Sequence, residues 1–241
     1  MRLQTFAIAV GLVGCALPPP PPSGNGNGND DEGVDAGSIS NDDESDVDAG
    51  PRPDPRPEGG GDKELSHSNS LLIVPGNSIA CHNQDDSTAQ NSYYRVFQLS
   101  EFDVSGAFKV DRVEFAVDEA DDGNGNNQTI TVRLHTLNGA LTTNNLTQLA
   151  TSTVSVGNVA VATLTADFND VNVPAGSTLA VEIQAPDGDN NNATFYIGSN
   201  PGGQTGPSYI RSSECGDDQP EDLTQTGFPN MHIIMRVFGS G

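Results

Sequence analysis

Alternation of apolar and polar residues with a period of two runs through the chain from about residue 69 to residue 241. Clusters of Gly, Asn, Asp and Pro break it every ten residues or so. That period belongs to strands with one face buried, and the clusters supply the turns between them. Ile130, Val132 and Leu134 point one way, Thr131, Arg133 and His135 the other. Leu179, Val181, Ile183 and Ala185 alternate with Ala180, Glu182 and Gln184. Met231, Ile233, Met235 and Val237 alternate with His232, Ile234, Arg236 and Phe238; the apolar Ile234 and Phe238 predict that this last strand is covered on both faces. In 108–117 the polar pair Asp111-Arg112 separates two halves of matching phase, which predicts a β-bulge or bend. Further strands are expected at 71–74, 92–99, 151–156, 159–164, 171–173, 194–198 and 208–211. No stretch carries a capped helical stripe. The fold class that follows is all-β, an antiparallel β-sandwich, jelly-roll-like, over 69–241. A domain of about 170 residues can bury roughly 70% of its unfolded surface, enough for one core.

The N-terminus reads differently. Arg2 and the α-amino group precede an apolar run over residues 5–14. Ten residues cannot cross a bilayer core, which takes about 20, but they fit the core of a signal peptide. The run ends in Leu12-Val13-Gly14-Cys15, which resembles the lipobox of bacterial lipoproteins. The resemblance implies cleavage after residue 14 and lipidation of Cys15 as first residue of the mature chain. It also implies an exported protein held to a membrane by its lipid, with Ala16 permitting the outer membrane or cell surface. An ordinary secretory signal or an N-terminal membrane helix are the alternatives. Segment 1–14 is therefore expected to be a lipoprotein signal peptide.

Residues 15–68 lack apolar periodicity. From residue 16 to 68 they hold 13 acidic and 3 basic residues, a net of −10, with Pro18 to Pro22 at the start and Pro-rich sequence near residues 51–57. Such composition cannot offset its chain entropy by burial, so a disordered acidic tether is expected. Proline and like charges would stretch it beyond the roughly 40 Å of a flexible coil of that length.

The whole chain carries 10 basic and 33 acidic residues, a formal charge of −23. Phosphates would be repelled, which argues against nucleic acid as a partner. Of three cysteines, Cys15 is assigned to lipid, and in an exported chain the remaining Cys81 and Cys215 most simply form a disulfide. The competing reading is a metal site, because His82 adjoins Cys81, but His67, His135 and His232 lack paired-ligand spacing.

Several segments together resemble a β-sandwich module of exported multidomain bacterial proteins. They are Tyr94-Arg95-Val96-Phe97, Val113-Glu114-Phe115, the six residues from Val132 to Leu137, Val173-Pro174-Ala175-Gly176-Ser177, Ile197-Gly198-Ser199-Asn200, and the six residues from Gly227 to His232. The similarity spans most of residues 90 to 238. It implies an accessory role, binding or attachment, and transfers no residue roles.

Three oxygen-rich loops could hold Ca2+, which takes six to eight hard oxygens. The first offers Asp118, Asp121, Asp122 and Asn124; the second runs over residues 187–192; the third holds Asp217, Asp218, Glu221 and Asp222. Asp-Gly and Asn-Gly pairs are equally ordinary hairpin chemistry. Carbohydrate binding would use aromatic platforms, and with no Trp the candidates are tyrosines, Tyr94 and Tyr209 foremost. No nucleophile, zinc-protease or phosphate-loop motif is present, so a non-enzyme is expected. A glycosidase-like carboxylate pair is recognised only in space. The expected protein is a lipid-anchored, surface- or periplasm-exposed module whose partners are the membrane and an extracellular polysaccharide or protein. A Ca2+-dependent carbohydrate-binding module and a hydrolase are the alternatives.

Overall fold

The computed structural model describes residues 63–241. Cys15, the signal segment 1–14 and the tether up to residue 62 lie outside the described residues. The strands are β1 (Lys63–Ser66), β2 (Asn91–Gln98), β3 (Phe108–Asp121), β4 (Gln128–Leu137), β5 (Leu146–Val156), β6 (Val159–Val173), β7 (Thr178–Ala185), β8 (Thr194–Ile197), β9 (Ser199–Asn200), β10 (Tyr209–Ser212), β11 (Asp217–Asp222), β12 (His232–Ile233) and β13 (Met235–Ser240). One sheet runs β1-β13-β3-β6, with β8 also on β3; the other runs β11-β10-β2-β7-β4-β5; β9 and β12 form a small pair. Every pairing between these strands is antiparallel.

The blocks β1-β13-β3-β6 and β2-β7-β4-β5 are the two four-stranded sheets of a jelly roll, in its strand order. The insertion between β7 and β13 supplies the rest. In it β8 continues along β3 where β13 stops, and the β10–β11 hairpin widens the second sheet beyond β2.

The expected alternation holds. Ile130, Val132, Leu134, Leu179, Val181 and Ile183 are fully buried between the sheets with Phe97, Phe108, Phe115 and Phe195. Each such side chain contributes roughly 1.5–3 kcal/mol on leaving water. The bulge lies where the sequence placed it: Val110 pairs Gly239 and Arg112 pairs Phe238, leaving Asp111 as the extra residue. Phe238 is buried on the far face under the guanidiniums of Arg112 and Arg236.

Four expectations need correction. Residues 71–74 form no strand: Pro75 and a positive-φ Gly76 follow, Leu71 and Leu72 are 48% and 72% exposed, and only Ile73 packs inward. Residues 159–164 and 171–173 belong to one strand, β6, which loops out opposite the β3 bulge. The last strand is split at Ile234 into β12 and β13. The ordered fold starts before residue 69, because β1 pairs β13 and buries Leu65 completely. With a single apolar residue, β1 has no periodicity to read; its long-range partner makes it a strand.

Two polar side chains pin the inner layer. Arg95 is fully buried and donates to Ile233 O, to Gln204 Oε1 at 2.7 Å and to Gly206 O at 2.6 Å. Burial lowers its pKa to about 9, so it stays charged at neutral pH. His67 stacks on Phe97, donates from Nε2 to Val96 O at 2.7 Å and meets Thr205 Oγ1 at 2.8 Å.

Candidate functional site

The alternation that sends Val132, Val181 and Tyr93 into the core sends their neighbours to the outer face of the six-stranded sheet. Register then lines them up across five strands. Thr151 lies opposite Arg133, Arg133 opposite Glu182, Glu182 opposite Tyr94, and Tyr94 opposite Tyr209. A second row sets Thr153, Thr131, Gln184, Ser92 and Arg211 side by side. Thr143, between β4 and β5, donates from its backbone N and its hydroxyl to Gln219 Oε1 of β11, at 2.8 and 3.0 Å. Four strands lie between those elements, so the sheet curls and the rows sit in its hollow. Tyr94 and Glu182 are only 1% and 5% exposed there, although they face away from the core.

Glu182 is the hub. Tyr94 OH donates to its Oε1 at 2.9 Å, and Arg211 Nη2 stands 3.6 Å from that oxygen. Arg133 Nη1 and His135 Nε2 approach Oε2 at 3.3 and 3.2 Å. Arg211 Nε donates to Tyr94 OH at 3.0 Å, and Arg133 Nη2 to Gln184 Oε1 at 2.9 Å. Burial would raise the carboxyl's pKa, but hydrogen bonds from His135, Ser92 and Tyr94 and the charge of Arg133 outweigh it and hold the pKa at about 2. Burial first, then the facing Glu182, pushes the Tyr94 hydroxyl up to about 12. Glu182 is therefore a fixed anion surrounded by donors. It cannot serve as a general acid, which needs a pKa raised toward the working pH.

One atom of this network is left over. His135 is 7% exposed, and its Nδ1 is buried with no hydrogen-bond partner. Buried polar atoms are nearly always satisfied, so this orphan sets His135 apart from the rest of the cluster. Beside the Glu182 carboxylate the half-buried Arg133 and Arg211 offer donors.

Tyr94 and Tyr209 do come together on this face, but Tyr94 is a buried strut and offers no exposed ring for stacking. Cys81 and Cys215 form a disulfide, Cα–Cα 6.0 Å, which ties the segment before β2 to the β10–β11 connection. His82 contacts Tyr196 OH at 3.0 Å. Asp118 accepts from Gly76 N at 2.9 Å and Ser78 Oγ at 2.6 Å, fastening the 75–78 turn to β3. Asp121 caps Gly123 N and Asp122 caps Gly125 N, while Asn124 reaches Asn191. Asp118 thus serves the 75–78 turn, while Asp121 and Asp122 brace the turn that follows β3. Among the described residues no three His, Cys, Asp or Glu side chains gather as a metal-holding group. The acidic run 217–222 is strand β11 and not a loop.

Alternation puts Glu182, Arg133 and His135 on the outward phase of their strands, but it neither joins them nor singles out Arg211. The signal was a set of charged residues on strands otherwise lined with Thr, Ser and Ala. Without register, nothing linked positions up to 78 residues apart in sequence.

No protein-family model matches the chain, and no curated protein matches it. Among solved structures it is similar to the cysteine protease and lectin-like domains of Cwp84, a surface layer associated protein of Clostridium difficile. The TM-score is 0.50 with 15% identity, covering 74% of this chain. A structure of the clostridial cysteine protease Cwp84 after propeptide cleavage aligns with TM-score 0.49 and 16% identity, over 74% of this chain and 40% of that one. The chain spans about a third, 36%, of the length of the first of these. At such identity the likeness is one of fold. Among the described residues no helix is long and apolar enough to cross a membrane.

Proposed function

We propose that residues 63–241 form a non-catalytic binding module whose hollow face takes a neutral, hydroxyl-rich ligand, a glycan by chemistry. The observation that carries this is the pair of half-buried guanidiniums, Arg133 and Arg211, held on the outer face by the buried Glu182 and Tyr94. A sugar hydroxyl oxygen can accept from a guanidinium, and the ion cluster keeps those donors fixed before a ligand arrives. An anionic polymer is disfavoured, because residues 63–241 hold seven basic against 21 acidic residues, a net of −14. The fold likeness is to a protein with lectin-like domains, which agrees with a binding role at that coarse level. In this reading Cys15 carries lipid, and the acidic segment up to residue 62 holds the module away from an anionic bilayer. Ca2+ at the Asp118–Asn124 segment is a separate arm of the test.

A glycan array probed with the full chain, with and without Ca2+, tests the reading when run beside a pooled hydrolase screen. Retention of neutral glycans, lost in Arg133→Ala, without turnover is the expected result. Turnover, or binding indifferent to Arg133→Ala, would overturn it. Mass spectrometry of the processed N-terminus tests the anchor: an unmodified Cys15 thiol refutes it.

A further inference from the structure

Among the described residues, the path β1-β13-β3-β6 and the second sheet each end in two strands with no further strand partner, and these four edges differ in charge. The first sheet ends at β1, with Lys63 and Glu64, and at β6; the second ends at β11, with Asp217, Asp218, Glu221 and Asp222, and at β5. Charge on an edge is the usual protection against pairing with another chain. The β5 edge has none. From residue 134 to residue 166 there is no Asp, Glu, Lys or Arg, although residues 63–241 carry 28 of them elsewhere. β6 shares part of this neutral stretch, but its ladder is interrupted by Val161 and Asp170, both at φ 50°. β5 has no positive-φ residue, and its segment 150–156 pairs β4 in unbroken register. That segment reads Ala-Thr-Ser-Thr-Val-Ser-Val: rich in β-branched residues, without Pro or Gly, with Thr151, Thr153 and Ser155 exposed. Those are the properties of a strand that accepts another strand.

We propose that β5 is a homotypic docking edge, on which a second copy of this chain pairs antiparallel through residues 150–156 about a two-fold axis near Thr153. Charge selects the occupant. Two modules of net −14 repel wherever their acidic surfaces meet, and this neutral strip is where they can approach closely. An antiparallel edge is also self-complementary under a two-fold axis, since the same N–H and C=O pattern is presented by both copies. Pairing joins the two six-stranded sheets into one of twelve strands and sets the two outer faces in line. Weak ligand binding at each face would then gain from bivalence.

The test is sedimentation equilibrium of the full chain from low micromolar to about 0.3 mM, in low and high salt, with Thr153→Lys beside it. The exposed Thr153 tolerates lysine in the monomer, but in the pair the introduced ammonium of each copy would face its equivalent, so association should weaken about tenfold or more. The wild type should form dimers, and added salt should tighten them by screening the acidic repulsion. Concentration-dependent protection of amides in 150–156 against hydrogen exchange should accompany the dimer. A wild-type chain that stays monomeric at high salt overturns the proposal. So does a dimer that Thr153→Lys leaves intact while its melting temperature is unchanged, because association would then run through another surface.

Discussion

Replacing Glu182 by Gln removes one charge from the hollow face and keeps its shape. A carboxyl that titrates at 4.5 when unfolded and at about 2 in the fold holds its ionised form better by roughly 3 kcal/mol. Burial to 5% exposure leaves little solvent screening to discount. The sign follows from proton uptake. Between pH 4.5 and 2 the unfolded chain binds the proton and the native chain does not, so stability is present in full above 4.5 and falls as pH drops toward 2. Glu182→Gln should therefore cost about 3 kcal/mol at pH 7, less whatever its amide oxygen recovers by accepting from Tyr94 or Arg133. For a domain of this size that is a fall of roughly 6–12 °C in melting temperature. The assay is urea unfolding of both proteins at a series of pH values, read by tyrosine fluorescence, since the chain has no Trp. The curves should lie farthest apart at neutral pH and converge near pH 2. A constant difference across the series, or a cost below about 1 kcal/mol at pH 7, would refute the assignment of Glu182 as a fixed anion.

Three other outcomes are expected. Burial lowers the pKa of His67, so protonation destabilises the fold as pH falls below 6.5; His67→Gln should flatten that limb of the stability–pH profile, and an unchanged limb counts against the assignment. Removing the Cys81–Cys215 bridge, whose residues are 134 apart, should cost about 5 kcal/mol by loop entropy; a double Cys→Ser variant with unaltered urea midpoint would sink that estimate. A Cβ at Gly198 would meet Ala116 Cβ at 2.5 Å and its carbonyl carbon at 2.9 Å, so Gly198→Ala should lower stability by about 1–3 kcal/mol in the same assay.

The sandwich was legible in the sequence because burial of one strand face writes itself as alternation. Val132, Leu134, Val181 and Ile183 needed only their own neighbours to be placed. The bulge at Asp111 was legible for the same reason, as a slip in phase. The disulfide followed from cysteine count. What stayed hidden is whatever depends on register between distant strands. The outward Arg133 and Glu182 are each half of a pattern, and only the ladder between β4 and β7 makes them partners. β1 and β11 escaped notice because their sequences are polar and pairing alone makes them strands. The tyrosines illustrate a partial reading. Alternation separated Tyr93 from Tyr94, but the pairing of Tyr94 with Glu182 and Arg211 depends on strand register, which no local pattern announces.

A crystal of the full chain soaked with the neutral glycan that scores highest on the array examines the binding face directly. Ligand density with a hydroxyl at hydrogen-bonding distance, about 3 Å, from the guanidinium of Arg133 or Arg211 is the predicted result. Glycan bound at the loops away from β2, β4 and β7, with Arg133 and Arg211 untouched, would contradict it.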